Sequence, residues 1–482
     1  MTEDHQQRLH HEFNQVILRK YDVRGIYGEQ LNEEDAYFFG LAYATYLLGH
    51  EDKNYNTKLV VGMDGRTTSP SLKSEFVRGA TDAGMDVIDV GLVSSPMVNF
   101  GAYHFNALAC CAITASHNPK EYNGFKFDYK NAPFFDEKIQ ELQRIAADCA
   151  TADKKGKVEM ADIEEAYLQH LMENFTFSAG RKIRVCFDCG NGATGRVVEK
   201  LAKMLTERFD METKVLFAEI DGNFPNHHPD PTVQKNMNAL TKIVVEEGFD
   251  LGIGFDGDGD RVGIIDETGR LLYGDEILLL FAKEVLKSRP GAKIVGEVKA
   301  SKVLYDGIKA AGGEAIMTKI GNTYIRAKMD EVGAILGGET SGHIFFANNL
   351  GGVDDGIVAG LKMIEILAEI SSKGQKISDL VKEIPQVFAT HDLKLPIDEA
   401  DKFAIIDRIS AILKQEDRNF IDIDGIRIDT NSGWWMLRAS NTSAVLTGRC
   451  ESNTQAGLEE VKKEFLEYVK RGGYAKKVNF DE

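Results

Sequence analysis

Residues 58–65 read Lys-Leu-Val-Val-Gly-Met-Asp-Gly, an apolar, β-branched run that ends on a carboxylate and a glycine. A short apolar run bounded by turn residues predicts a buried strand. Helical spacing follows over 71–83, and Gly84-Met85-Asp86-Val87-Ile88-Asp89-Val90-Gly91 predicts a second strand. The same order returns at 182–192, with a helix to 209 and a strand near 214–220. It returns again at 293–299, with a helix to 311 and a strand over 314–320. Strand, Gly/Asp-rich loop, helix, strand is the pattern of an α/β layered unit, whose ligands bind at the carboxyl ends of the strands. The spacing therefore predicts three α/β units of similar plan that face one another. The last hundred residues differ. Strands are expected over 385–395, 420–430, 434–438 and 444–449, with helices over 400–415 and 458–471, an α+β pattern. The expected domains are 1–160, 161–268, 269–380 and 381–482, and 482 residues are enough for each to bury its own core.

Lys plus Arg number 57 against 75 Asp plus Glu, a net charge of −18. So acidic a body argues against nucleic-acid or anionic-membrane partners, because nothing offsets the repulsion from phosphate. An anionic ligand must then be held by a few basic side chains gathered in one place. The one long uncharged stretch, 90–119, contains Pro96, Asn99, His104 and Asn106, and cannot supply the roughly 20 apolar residues of a membrane span. It reads as two buried strands with a helix between them. The N-terminus lacks the apolar core of a secretory signal. Cys186 and Cys189 have C-x-x-C spacing, but Asp188 and Gly190-Asn191-Gly192 mark the end of a buried strand, so reduced core thiols and a cytoplasmic protein are expected.

Four loops can carry chemistry. In Thr114-Ala115-Ser116-His117-Asn118-Pro119, a serine is delivered to a turn with histidine beside it and Lys126 ten residues on. Such a serine can be a nucleophile, although serine in a turn is more often a capping group. In Asp256-Gly257-Asp258-Gly259-Asp260-Arg261, three alternating carboxylates can converge on one hard divalent cation. An EF-hand is excluded, because Arg261 stands at the sixth position, where glycine is required, and the flanks read as strands. In Gly337-Gly338-Glu339-Thr340-Ser341-Gly342-His343, Glu339 and Ser341 point the same way in an extended segment and suit two adjacent sugar hydroxyls. His343 can exchange a proton nearby. In Arg438-Ala439-Ser440-Asn441-Thr442-Ser443, a guanidinium, hydroxyls and turn amides form an oxyanion cradle or, equally, an ordinary hairpin turn.

Together with Tyr21-Asp22-Val23-Arg24-Gly25, these four loops, in this order over the whole chain, closely resemble the α-D-phosphohexomutase superfamily, and most closely its phosphomannomutase/phosphoglucomutase branch. The resemblance implies four domains around a central cleft: three similar mixed α/β domains and a smaller C-terminal α+β domain of the TATA-box-binding-protein-like type. It implies reversible phosphoryl transfer between the 1 and 6 positions of a mannose or glucose phosphate, with Mg2+ as cofactor and a hexose 1,6-bisphosphate as activator and intermediate. Residue by residue, it makes Ser116 the phosphorylated serine. Asp256, Asp258 and Asp260 become the metal ligands, together with an oxygen on Ser116. Arg24, His117 and Lys126 surround the transferring group, and Tyr21, Arg261 and Lys299 line the substrate site. Glu339, Ser341 and His343 form the sugar-recognition loop, and Arg438, Ser440, Asn441 and Thr442 the phosphate clamp. The general base stays open among Lys126, His117 and His343. Asn322 stands where the branch often has histidine, and Thr340 where it often has methionine. A phosphoglucosamine mutase and a catalytically silent sugar-phosphate-binding protein are the competing readings. The family contains both monomers and homodimers.

Overall fold

In the computed structural model, which describes residues 8–440 and 444–480, the strand Asn56–Met63 pairs in parallel with Asp86–Leu92 on one side and Ala107–Ile113 on the other. Ala107–Ile113 then returns as the antiparallel strand Tyr122–Tyr129. The second unit repeats this wiring. Ile183–Asp188 lies between Met211–Leu216 and Leu251–Phe255, both parallel, and Leu251–Phe255 returns as antiparallel Val262–Asp266. In the third unit, Lys293–Glu297 lies between Glu314–Thr318 and Leu336–Gly338, and Leu336–Gly338 returns as Ile344–Phe346. The repeat expected from the sequence is thus present three times.

Parallel strands covered by helices on both faces must be apolar throughout, and every residue of Ala107–Ile113 and of Leu251–Phe255 is buried. The crossover helices show the complementary pattern. Gly195–Arg208 buries Val197, Val198, Leu201, Ala202 and Leu205 at helical spacing and turns its charges outward. The helices Asn238–Glu247 and Asn322–Val332 each stop at a glycine in the left-handed region, Gly248 and Gly333, which frees the chain to enter the next strand. One apolar cluster runs unbroken from Val60 and Val98 through Phe187 and Ile253 to Phe281, Leu336 and Ile357, so the three units share a core. The uncharged stretch 90–119 contains the helix Ser95–His104 between two strands, and no described helix is long and apolar enough to cross a membrane. All six cysteines are buried and free.

The C-terminal unit is an antiparallel sheet, with Val445–Ser452 flanked by Trp434–Ala439 on one side and by Phe388–Ala389 and Leu393–Pro396 on the other, and Ile426–Asp429 at the edge. The helices Lys402–Gln415 and Gln455–Arg471 close its own core around Trp435, Ile409 and Phe465. Two expectations need correction here. The strand expected over 420–430 covers only Ile426–Asp429, because Ile421 and Ile423 are more than a third exposed and the turn at Gly425 intervenes. The single strand expected over 385–395 is two short ones, Phe388–Ala389 and Leu393–Pro396.

Candidate active site

Three of the four loops singled out for chemistry occupy one structural position. Each joins the third parallel strand of its unit to the antiparallel return strand: residues 114–121, 256–261 and 339–343. Because the three sheets face a common centre, the loops meet. Ser116 Oγ donates to Asp256 Oδ2 at 2.8 Å and lies 3.1 Å from His117 Nδ1. Lys126, on the return strand of the first unit, places Nζ 2.6 Å from Asp258 Oδ2 and 2.5 Å from Asp260 Oδ2. Ser95 Oγ also donates to Asp258 Oδ2, at 2.5 Å.

The acidic triplet is buried, and the loop's own backbone shapes it, since the Gly259 and Arg261 N–H groups both donate to Asp256 Oδ1. Burial, and then the charges of Asp260 and Asp258, push Asp256 well above the usual carboxylate range. Asp260 moves the other way, because Lys126 and His343 outweigh its burial. Burial also acts against the charge of Lys126, but Asp258 and Asp260 prevail and hold the ammonium above the ordinary lysine value. Asp258 Oδ1 and Asp260 Oδ1 are buried with no hydrogen-bond partner, and the three carboxylates each bring an oxygen within 4.8 Å of the others. Orphaned anionic oxygens in a dry, mutually repelling cluster are the donor set of a hard divalent cation.

Around this centre lies a cavity of about 340 Å3, lined among others by Tyr21, Arg24, Ser116, His117, Lys126, Arg261, Lys299, Glu339, Ser341 and His343. Arg24 donates to Asn118 Oδ1 at 2.6 Å and pairs with Asp22. Tyr21 OH donates to the Ile320 carbonyl at 2.9 Å. Glu339 accepts from the Gly321 N–H at 2.6 Å and from Ser341 Oγ at 3.2 Å, and burial together with nearby Glu297 raises its carboxyl to about 7. Lys299 Nζ pairs with Asp392 at 3.0 Å, and its burial is outweighed by Glu297 and Asp392, which raise it. Burial, with Arg261 and Arg24, lowers His117 and keeps it neutral.

The comparisons agree with this architecture. Models of the phosphoglucomutase/phosphomannomutase alpha/beta/alpha domains I, II and III match residues 15–153, 165–269 and 273–388, and the family's C-terminal domain matches 375–468. A phosphomannomutase/phosphoglucomutase of Pseudomonas syringae pv. tomato is 39% identical over 457 residues, 95% of each chain. The chain belongs to the phosphoglucomutase/phosphomannomutase family. A phosphoglucomutase of Neisseria gonorrhoeae is 38% identical over 93% of this chain and 95% of its own. The crystal structure of a phosphoglucomutase/phosphomannomutase family protein from Burkholderia thailandensis superposes with a TM-score of 0.88 at 33% identity, covering 97% of this chain and all of that one.

Not every expected site residue of this family member reaches the cavity. Arg438 is buried against Asp424, with Nε to Oδ2 at 3.0 Å, and Ser440 accepts Lys402 Nζ on its carbonyl at 2.7 Å. Neither lines the cavity, and Asn441 and Thr442 lie outside the described residues. Other residues were missed. Asp354 Oδ2 lies 2.8 Å from His343 Nδ1, and Arg261 Nε donates to His343 Nε2 at 3.0 Å, so the ring's two nitrogens face opposite partners. Asn322 donates to the same Asp354 oxygen at 3.2 Å. Arg326, paired with Asp128, and Arg19 also line the cavity. Asp354 begins no recognisable motif, but it directly precedes Asp355, which caps the helix Gly356–Ser371; a paired carboxylate at a helix start was the available signal.

Proposed function

We propose that this enzyme interconverts the 1- and 6-phosphates of mannose and/or glucose by way of a phosphorylated Ser116 and a bound hexose 1,6-bisphosphate. The observation that carries the reading is the meeting of Ser116 Oγ with the Asp256 carboxylate at 2.8 Å, across two separate units of the fold.

A phosphoserine carries about −1.5 to −2 charges at neutral pH, and the hexose phosphate is itself an anion. Transfer between them needs dense local neutralisation, which Arg24, Lys126 and Arg261 supply from the cavity wall. Asp256, Asp258 and Asp260 would hold Mg2+, which supplies charge stabilisation to the moving phosphoryl group. In the forward direction the free sugar hydroxyl attacks phosphorus. The Ser116 Oγ–P bond breaks, a sugar O–P bond forms, and the hydroxyl proton leaves to a base. His343 is the base we favour. Asp354 faces Nδ1, and the single lone pair on Nε2, which accepts the Arg261 Nε–H, takes the hydroxyl proton once Arg261 turns to the incoming phosphate. The bisphosphate then turns end for end and returns its other phosphoryl group to Ser116.

Glu339 and Ser341 are adjacent hydrogen-bonding groups suited to the O3 and O4 hydroxyls, which present alike in both orientations. Arg438 and Ser440, with Asn441 and Thr442, would hold the phosphate that does not react. Six buried free thiols support a reducing compartment, the cytoplasm.

Intact-mass spectrometry tests the reading. The purified chain should gain one phosphoryl group on Ser116 from glucose 1,6-bisphosphate and lose it to excess hexose phosphate. Ser116→Ala should lower turnover by on the order of 10⁴-fold or more while substrate still binds. Undiminished turnover of that variant would overturn the assignment.

A further inference from the structure

Ser116 has φ +53°, in the left-handed region, where a non-glycine residue is strained unless its surroundings hold it there. The group that holds it is a side chain from the end of a different strand. After Asn56–Met63, the turn Asp64-Gly65-Arg66 sends the Arg66 guanidinium beneath the serine loop. Nη2 donates to the Ser116 and Asn118 carbonyls, both at 2.7 Å. Nη1 donates to the carbonyls of Pro119 at 2.8 Å and Tyr122 at 3.1 Å, and Nε to Asp64 Oδ2 at 3.1 Å. Asp64 is itself fixed by Ser69 Oγ at 2.6 Å and by the Arg66 N–H at 3.0 Å. The Arg66 side chain is wholly buried and does not line the cavity.

All five guanidinium N–H groups therefore have acceptors: three carbonyls of the serine loop, that of Tyr122 at the start of the return strand, and Asp64. A planar fork of five donors can do this; an ammonium cannot span the same carbonyls. The second unit closes the arrangement from the other side. A Cβ on Gly257 would lie 2.5 Å from the Ser116 carbonyl oxygen, and a Cβ on Gly222 would lie 2.6 Å from Arg66 Cα. The loop is clamped between the guanidinium and the metal loop.

Building on the reading of Ser116 as the phosphoryl carrier, we infer that Arg66 is a positioning residue that holds Ser116 Oγ in line with the acidic triplet. It does not line the cavity and meets Ser116 only at the backbone carbonyl, so its loss acts on phosphoryl transfer and not on sugar recognition. A reacting atom displaced by about 1 Å loses on the order of 10²-fold in rate.

The test compares full-length wild type, Arg66→Lys and Arg66→Ala. For each, the rate of Ser116 phosphorylation by glucose 1,6-bisphosphate is followed by intact mass, with steady-state kcat and KM, a thermal melt, and repetition with added low-millimolar guanidinium. Folded Arg66→Lys should lose on the order of 10²-fold in phosphorylation rate and in kcat, with KM nearly unchanged. Guanidinium should restore a substantial part of the loss in Arg66→Ala. If Arg66→Ala does not fold, Arg66→Lys alone decides. Phosphorylation of Arg66→Lys at the wild-type rate, an equal loss in KM, or failure of both variants to fold would overturn the inference, the last by assigning Arg66 to stability alone. A wild-type chain that accepts no phosphoryl group would instead overturn the reading of Ser116, so the two failures are distinct.

Discussion

His343 shows how a single side chain takes its chemistry from its neighbours. Asp354 at 2.8 Å from Nδ1 and Arg261 at 3.0 Å from Nε2 favour the tautomer with its proton on Nδ1. Replacing Asp354 by Asn removes the charge that selects this tautomer. We expect kcat to fall by on the order of 10²-fold with little change in KM, read by steady-state kinetics alongside a thermal melt that moves little. Glu339 makes a pH-dependent prediction. Its carboxyl sits near 7, raised by burial and by Glu297, so it accepts hydrogen bonds from two sugar hydroxyls only in its ionised form, above that value. KM for the hexose phosphate should rise as pH falls through about 7, and Glu339→Gln should flatten that profile. Stability runs in the opposite sense. Because the folded carboxyl keeps its proton to higher pH than the unfolded one, its ionisation removes stability as pH rises from about 4.5 to about 7. Urea titrations should therefore show Glu339→Gln gaining on the wild type above pH 7, by on the order of 2 kcal/mol.

At the scale of elements, the site is built by placing three hairpin loops at one position in three copies of one sheet. The repeat was legible because parallel strands buried on both faces must be apolar, so 58–63, 183–187 and 293–296 stand out as runs, each followed by turn residues. Less legible was that the three chemistry-bearing loops read from the sequence hold equivalent places in their units. The Gly/Asp-rich turns after those first strands drew attention, yet Ser116, the aspartates and Glu339 all follow a later strand, and only pairing shows that these loops are equivalent. The Asp354 and Arg66 partnerships were hidden for the same reason, since the first forms only when the return strand turns back toward His343 and the second joins an unremarkable turn to backbone carbonyls in a distant loop. Arg438 and Ser440 were legible as a compact polar hairpin, but their partners Asp424 and Lys402 were not. A prediction belongs here. Gly257 has no room for a side chain against the Ser116 carbonyl, so Gly257→Ala must part the metal loop from the serine loop. Turnover should fall by on the order of 10²-fold while the melting temperature falls only modestly.

For the whole molecule, a net charge of −18 coexists with a cavity where Arg19, Arg24, Lys126, Arg261, Lys299 and Arg326 gather among the carboxylates of Asp22, Asp128, Asp260, Glu297, Glu339 and Asp354, which concentrates cationic donors for a small anion in one place. The C-terminal unit is tied to the rest at the segment that carries Lys299. Arg427 donates to the Val298 and Ala300 carbonyls and stacks on Trp434 at 3.7 Å, while Glu451 accepts from Ser301 Oγ at 2.7 Å and from Trp434 Nε1 at 2.8 Å. Hydrogen bonds from a charged group contribute about 1.5–3 kcal/mol each. Arg427→Met should therefore loosen this unit first, raising KM for the hexose phosphate while Ser116 is still phosphorylated at near the wild-type rate, as intact mass and kinetics would show. If the serine of one unit and the carboxylates of another share a single cation, anomalous diffraction from crystals of the phosphorylated enzyme soaked in Mn2+ will locate it. One strong peak is expected, bounded by Asp256, Asp258, Asp260 and a phosphoryl oxygen on Ser116. A peak elsewhere, or none there at saturating Mn2+, would contradict it.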